Sequence, residues 1–182
     1  MASVDAEPDP AEPGPRHERA TREPGRTPLV LLSAGAVLLL DQASKAWAVN
    51  ALANRTPIHV IGSLQLALHY NTGSAFSLNR NLGPLIGLLA AVVVIGLAIT
   101  GRSAPDARTA VTIGLLIGGA LGNLADRAFR SGLGSSGFLH GAVIDFIDLQ
   151  WWPVFNVADS AISVGAVLLV ILGFRAENRP KP

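Results

Sequence analysis

The stretch LGPLIGLLAAVVVIGLAIT, residues Leu82 to Thr100, decides the fold class because it contains no charged side chain. A helix needs about 20 predominantly apolar residues to cross the hydrocarbon core of a membrane. Three further runs have a similar length and character: Leu29 to about Val49, Thr109 to Ala125 and Phe155 to Phe174. Four such runs in a chain of 182 residues leave too little polar surface for a soluble domain. We therefore predict an all-α integral membrane protein with four transmembrane helices.

The composition of the whole chain agrees with this prediction, since 49% of its residues are hydrophobic and only 15% are charged. The formal net charge of +1 gives no reason to expect a nucleic-acid partner. The absence of cysteine excludes disulfides, thiolate metal sites and a cysteine nucleophile. Ten of the 27 charged residues lie within residues 1–28, a proline-rich stretch with few large apolar side chains. We predict a disordered tail over residues 1–28, a four-helix membrane domain over 29–174 and a short tail over 175–182.

The orientation in the membrane follows from the positions of the basic residues. Four spans place both termini on one side, and Lys and Arg near span ends are enriched on the cytoplasmic side. Nine basic residues fall on the side of the termini and five on the other side. Both tails are therefore predicted to be cytoplasmic.

The segments on the outer side have patterns of their own. Apolar residues alternate with polar ones from Ser63 to Tyr70, which predicts a strand in a small extracytoplasmic β-sheet. Residues Arg130 to Gly141 are rich in Gly and Ser, which indicates a mobile outer loop. The run Trp151 to Pro153 suits an aromatic anchor at the membrane interface. Glycines at positions 114, 118 and 122 of the third span predict close approach of another helix.

All six acidic residues between Leu29 and Phe174 are aspartates, and the topology places five of them on the outer side. These five are Asp41, Asp126, Asp145, Asp148 and Asp159. A carboxylate at membrane depth costs roughly 2.5–3.5 kcal/mol even on a lenient scale, so such groups are paired, hydrated or functional. Their convergence indicates a polar site near the outer face of the membrane.

Two of these aspartates have a cation close by in sequence. Asp41 and Lys45 are four residues apart on a predicted helix, which is the spacing of an ordinary ion pair. Asp126 directly precedes Arg127, and a carboxylate beside a guanidinium is more often structural support than a proton carrier. Both patterns favour supporting roles.

Asp145 and Asp159 are the stronger candidates for chemistry. Asp145 lies in the apolar run VIDFI without an adjacent cation, so desolvation is expected to raise its pKa. Asp159 lies one turn into the fourth helix, where Asn156 is placed to cap the helix start. Two carboxylates in unlike environments suit general acid and base catalysis.

From the residues alone, a structural polar cluster and a small ion- or proton-coupled membrane transport component both remain alternatives. The middles of the second, third and fourth spans carry no ionisable group, which disfavours transport. A metal site shared by Asp145 and Asp148 is also disfavoured, because the histidines are scattered.

Five motifs, taken in order, carry a family resemblance. They are DQASK (Asp41–Lys45), NTGSAFS (Asn71–Ser77), GGALGNLADR (Gly118–Arg127), VIDFI (Val143–Ile147) and FNVADS (Phe155–Ser160). Over about Leu29 to Phe174 the chain resembles the lipoprotein signal peptidases, the bacterial signal peptidase II family. That resemblance implies a four-helix aspartic endopeptidase of the bacterial inner membrane. It also implies cleavage of diacylglyceryl-modified prolipoproteins just before the lipidated cysteine.

The resemblance also implies roles for individual residues. Asp145 and Asp159 match the catalytic dyad, with Asp126 as the main rival because Asn-x-x-Asp-Arg is also a family signature. The positions that match substrate-binding or supporting residues are Asp41, Lys45, Asn71, Gly73, Asn123, Asp126, Arg127 and Asn156. No metal and no organic cofactor is expected. The expected partners are prolipoprotein substrates and membrane lipids, and we expect a monomer.

Overall fold

The structure is a computed structural model that describes residues 25–73, 83–130 and 137–178. Within these residues it contains four α-helices: α1 Thr27–Leu52, α2 Gly83–Gly101, α3 Ala107–Phe129 and α4 Val157–Glu177. All four are long and apolar enough to cross a membrane. They coincide with the four predicted spans to within a few residues at each end, so the predicted fold class is confirmed.

The helix boundaries refine the predicted tails. α1 begins at Thr27, inside the predicted tail, with Pro28 in its first turn. Proline suits that position because its fixed φ fits a helix and the first N–H groups have no partner within the helix. At the other end of the chain, α4 continues to Glu177. Residues 1–24 and 179–182 of the predicted tails lie outside the described residues.

α3 is the central helix of the bundle. Of its most apolar 18-residue window 61% is buried, against 11% for the corresponding windows of α2 and α4. Its glycines explain why two neighbours approach so closely. A Cβ atom on Gly118 would lie 2.5 Å from the carbonyl oxygen of Ala34 in α1, and one on Gly119 would lie 2.6 Å from that of Ala158 in α4. The predicted close approach at the glycine stripe is confirmed.

A three-stranded antiparallel sheet in the order β1-β2-β3 covers one end of the bundle, which we call the sheet end. Its strands are β1 Ile58–Ile61, β2 Leu64–Asn71 and β3 Val143–Asp148. β2 confirms the strand predicted from alternating apolar residues, whereas β3 was not predicted to be a strand. The pairing of β2 with β3 places His69 opposite Asp145 and Asn71 opposite Val143.

β3 is attached both to α1 and to the start of α4. Ile144 and Phe146 are buried against Ala48 and Leu52 at the end of α1. The backbone N–H of Phe155 donates to the carbonyl oxygen of Ile147 at 3.0 Å, and the N–H of Ile147 donates back to that of Phe155 at 2.9 Å. This isolated bridge closes the short connector between β3 and α4.

The segment predicted to be a mobile loop, Arg130 to Gly141, is described only at its two ends, because residues 131–136 lie outside the described part of the chain. Gly141 lies against the end of α3 in space, and its N–H donates to the carbonyl oxygen of Arg127 at 2.9 Å. The return of the chain at Gly141 brings β3 directly over the end of α3.

Candidate active site

The residues that the sequence singled out meet at the sheet end of the bundle, and each arrives on a different element. Asn71 ends β2, Asp145 lies in the middle of β3, and Asp159 lies in the first turn of α4. Asn123 and Arg127 lie one turn apart near the end of α3. Asp145, Asp159 and these three neighbours all border one cavity.

Asp145 is buried, with 3% of its surface exposed. Its Oδ1 accepts a hydrogen bond from Asn156 Nδ2 at 2.7 Å, and its Oδ2 accepts one from Asn71 Nδ2 at 3.1 Å. Burial, and after it the charge of Asp159, raises the pKa of Asp145 to about 6 against an ordinary value of 3.8. The direction is the one expected from its apolar sequence context.

Asp159 is held by the capping arrangement of α4. Asn156 Oδ1 accepts the backbone N–H of Asp159 at 2.9 Å, and the backbone N–H of Asn156 donates to Asp159 Oδ2 at 3.2 Å. This reciprocal pair is a capping box, which satisfies N–H groups at the helix start. Asp159 Oδ1 accepts a further hydrogen bond from Asn123 Nδ2 at 2.7 Å. Asn156 therefore binds both aspartates, Asp145 through its side chain and Asp159 through its backbone N–H and side-chain oxygen.

Asn71 is fixed by the turn that follows β2. Its Oδ1 accepts the backbone N–H of Gly73 at 3.0 Å, so its Nδ2 is left to donate to Asp145. Gly73 has φ +108°, a conformation that side-chain-bearing L residues rarely adopt. Residues 74–77 of the same motif lie outside the described residues.

Lys45 is completely buried beneath the two aspartates. Its Nζ lies 2.8 Å from Asp41 Oδ2 and 2.8 Å from Asp126 Oδ2, and it donates to Asn123 Oδ1 at 2.9 Å. The ion pair predicted between Asp41 and Lys45 is confirmed. Asp126, the rival candidate for the dyad, belongs to this second, deeper cluster.

The carboxylate of Asp126 is occupied by several donors at once. Arg130 Nε lies 2.6 Å from its Oδ1, and Gln42 Nε2 donates to the same oxygen at 3.3 Å. The backbone N–H of Ile144 donates to Oδ2 at 3.2 Å. Gln42 and Arg130 were not predicted to belong to the site, although the four-residue spacing from Asp126 to Arg130 is a signal that could have revealed Arg130.

Arg127 borders the same cavity as the two candidate catalytic aspartates. Only 7% of its surface is exposed, and its Nη1 is buried without a hydrogen-bond partner among the described residues. An unpaired guanidinium N–H in a buried position is a donor available to a ligand. The adjacent Asp126 does not accept from Arg127 Nη1, because the guanidinium bound to Asp126 is that of Arg130.

The cavity that these polar groups border has a volume of about 530 Å³. Its polar end carries Asp145 and Asp159, and the apolar remainder is built by α2, α3 and α4. The apolar lining residues are Ile86, Leu89, Ala90, Val93, Leu97, Leu116, Ala120, Leu124, Val143 and Ile162. A second cavity, of about 490 Å³, reaches the same two aspartates from the side of His69 and Trp152. The aspartates therefore lie between an apolar chamber and a more polar opening.

Asp148, the fifth aspartate of the predicted group, lies away from the site. Its Oδ2 accepts from Gln65 Nε2 at 2.6 Å and its Oδ1 accepts the backbone N–H of Gln150 at 2.7 Å. The hydrogen bond from Gln65, followed by that from Gln150, lowers its pKa. In the described part of the chain, no three acidic or histidine side chains form a group that could hold a metal ion.

Comparison with known proteins gives concordant results. A family model described as signal peptidase (SPase) II matches residues 33–175. A lipoprotein signal peptidase of Mycobacterium avium (strain 104) is 41% identical over 164 residues, covering 90% of this chain and 88% of the relative. One of Rhodococcus jostii (strain RHA1) is 44% identical over 145 residues, covering 79% and 71%. A bacterial membrane enzyme solved by the in meso method at 2.3 Å superposes with a TM-score of 0.69 and 26% identity, covering 84% of this chain and 93% of that one.

Proposed function

The chain belongs to the signal peptidase II family, and on that basis we propose that it removes the signal peptide from diacylglyceryl-modified prolipoproteins. Cleavage falls just before the lipidated cysteine, and the enzyme is of the aspartic type. The observation that carries the proposal is the pair Asp145 and Asp159, both bound to Asn156, at the polar end of an apolar cavity.

Asp145 and Asp159 divide the roles of acid and base between them. Together with Arg127 they make a group of two carboxylates and one cation, so a single added proton gives electrical neutrality. In this proposal Asp145 holds that proton, since burial raises its pKa to about 6. Asp159 then acts as the general base and Asp145 as the general acid.

The reaction proceeds by addition of water to the scissile carbonyl. Asp159 accepts a proton as the water oxygen bonds to the carbonyl carbon. The carbon–nitrogen bond then breaks while Asp145 gives its proton to the departing amine of the cysteine. Transfer of the proton from Asp159 to Asp145 restores the starting state.

The surroundings of the pair suit an apolar substrate with one polar peptide bond. Arg127 Nη1, buried and without a partner in the described residues, is placed to donate to a carbonyl oxygen of the substrate backbone. The apolar walls of the cavity accommodate the acyl chains and the apolar part of the signal peptide. Asn71 and Asn123 orient the two carboxylates.

The test is cleavage of a synthetic diacylglyceryl lipopeptide by the purified protein, with the same peptide lacking the lipid as a second substrate. Asp145→Asn and Asp159→Asn should each abolish cleavage, whereas Asp148→Asn on the same strand as Asp145 should retain it. Full activity of either dyad variant would remove that residue from the mechanism. An inactive Asp126→Asn that folds and binds substrate normally would support the rival assignment. A wild-type protein that conducts ions in vesicles and cleaves nothing would favour the transport alternative.

The sheet end faces the outer side of the bacterial inner membrane in this proposal, and both termini are cytoplasmic. The chain lacks cysteine, so single cysteines can report the orientation directly. Ser63→Cys, in the turn between β1 and β2, should react with a membrane-impermeant maleimide in intact cells. Ser103→Cys, between α2 and α3, should react only after the membrane is opened. The reverse pattern would overturn the orientation.

A further inference from the structure

Two buried aspartates outside the proposed dyad each bind the chain one residue before a dyad member. Asp41 Oδ1 accepts the backbone N–H of Ala158 at 2.9 Å, and Ala158 directly precedes Asp159. Asp126 Oδ2 accepts the backbone N–H of Ile144 at 3.2 Å, and Ile144 directly precedes Asp145. Both acceptors are completely or almost completely buried. The start of α4 is thus bound to α1, and the middle of β3 is bound to α3.

Lys45 joins these two aspartates. An ammonium group has three N–H donors, and the three acceptors around Lys45 Nζ are Asp41 Oδ2, Asp126 Oδ2 and Asn123 Oδ1, all within 2.9 Å. Lys45 is 0% exposed, so bulk solvent does not compete for those donors. The two carboxylates are therefore held at a fixed separation across one nitrogen atom.

The third acceptor of Lys45 also leads to the dyad. Because Asn123 Oδ1 accepts from Lys45, the amide nitrogen of Asn123 faces Asp159 and donates to its Oδ1 at 2.7 Å. Without the ammonium group, the side-chain amide of Asn123 would lose a hydrogen bond that holds it in this orientation. Each of the three residues that accept from Lys45 thus binds either Asp159 itself or the residue that precedes a dyad aspartate.

The charges of this deeper cluster balance among themselves. Asp41 and Asp126 supply two negative charges, and Lys45 and Arg130 supply two positive charges. The charge of Lys45 lowers the pKa of Asp145, but less than burial, Asp159 and the two asparagine hydrogen bonds change it, so we attribute the effect of Lys45 on the dyad mainly to geometry.

We propose that Lys45 is a positioning residue that sets the separation and relative orientation of Asp145 and Asp159. The inference rests on the proposed function, since it assigns Lys45 a role in the same reaction. Lys45 does not touch the reacting atoms. Removing its ammonium group leaves two carboxylates that repel each other, and the start of α4 then moves away from β3.

The test compares Lys45→Met with the wild type in the lipopeptide assay, measuring kcat, KM and the pH profile of kcat/KM. A misplacement of about 1 Å costs on the order of 100-fold in rate, so kcat should fall by about that factor. KM should stay at the wild-type value, because Lys45 is not among the residues that line the apolar cavity. The two apparent pKa values of the dyad should also move closer together, since their separation reflects how strongly the two carboxyl groups interact.

A matched control separates positioning from general loss of stability. Ile113→Ala creates a cavity between α1 and α3 in a separate buried cluster, far from the dyad, and should leave kcat and the pH profile unchanged. Lys45→Gln, which keeps two N–H donors without the charge, carries the test if Lys45→Met does not fold. Its kcat should fall below that of the wild type and, where both variants fold, by a smaller factor than that of Lys45→Met.

Three results would overturn the inference. Unchanged kcat in both Lys45 variants would do so, and so would an equal loss in Ile113→Ala. A shift of both apparent pKa values in the same direction, with their separation kept, would mean that Lys45 acts only through its charge. Failure of the wild type to cleave the lipopeptide would instead reject the proposed function, which is a separate outcome.

Discussion

The raised pKa of Asp145 predicts that this residue makes folding stability depend on pH in an unusual direction. Between pH 3.8 and about 6 the carboxyl group is protonated in the folded protein but ionised in the unfolded chain. The folded state then binds more protons, so the free energy of unfolding falls as the pH rises through this window. The pKa is raised by about 2 units, and one unit corresponds to about 1.4 kcal/mol. The ionisation of Asp145 should therefore lower the free energy of unfolding by roughly 3 kcal/mol between pH 4 and pH 7.

Asp145→Asn removes this titration and should therefore flatten the dependence. For a chain of this size, roughly 3 kcal/mol corresponds to a change of about 6–12 °C in the unfolding midpoint. The measurement is thermal unfolding in detergent micelles from pH 4 to pH 8, recorded for both proteins. The difference in Tm between variant and wild type should grow by that amount as the pH rises. Any constant cost of fitting an amide beside Asn71 and Asn156 cancels in this comparison.

Asp148→Asn is the matched control, because Asp148 lies on the same strand and hydrogen bonds lower its pKa. A lowered pKa stabilises the folded state above the ordinary pKa, and that contribution is lost as the pH falls. That loss lies below the ordinary value of 3.8, so Asp148→Asn should leave the pH dependence between pH 4 and pH 8 nearly unchanged. If Asp145→Asn followed the wild-type curve at every pH, Asp145 would not have a raised pKa, and its assignment as the general acid would lose its basis.

Three further predictions concern single contacts. Asn156→Ala should lose both the helix cap, which costs about 1 kcal/mol of unfolding free energy, and the hydrogen bond to Asp145. Asn156→Ser should keep the cap but lose as much activity as the alanine variant. Wild-type kcat in the serine variant would show that the hydrogen bond to Asp145 is dispensable. Gly73→Ala should lower kcat by displacing Asn71, because its φ of +108° is strained for alanine, and an unchanged cleavage rate would argue against it. Asp106→Ala removes the cap of α3, which should cost about 0.5–2 kcal/mol of unfolding free energy and lower the unfolding midpoint, without changing kcat per folded molecule. Asp106→Asn should keep the wild-type midpoint and the wild-type kcat.

The helices could be predicted from the sequence because predominantly apolar runs of about 20 residues have few alternatives to a membrane span. The strand β2 was also predictable, since its apolar residues alternate. β3 was not, because the short apolar run Val143–Ile147 lacks alternation and fits a buried helix segment equally well. The start of α4 was also predictable, because Asn156 caps the helix as expected and the helix begins at Val157, two residues after the apolar run does.

The candidate site divides in the same way. Asp145 and Asp159 could be singled out because each has an informative local context. The pairing of Asp126 with Lys45 could not, since the two residues lie 81 positions apart in sequence and only the packing of α1 against α3 brings them together. It could not be predicted either that Arg127 Nη1 has no hydrogen-bond partner among the described residues, because the adjacent Asp126 suggests a pair with Arg127 but binds Arg130 instead.

The hydrogen bond between Asp41 and Ala158 spans 117 positions of sequence and joins the first helix to the last. It has a consequence for biosynthesis, in which helices enter the membrane in chain order. Until α4 has been inserted, the nascent chain lacks Asp159 and the residue that Asp41 binds, whatever the state of α1, α2 and α3. If Asp145 and Asp159 are the catalytic pair, proteolytic activity arises only at the final step of membrane insertion, and a truncated or stalled chain is inert.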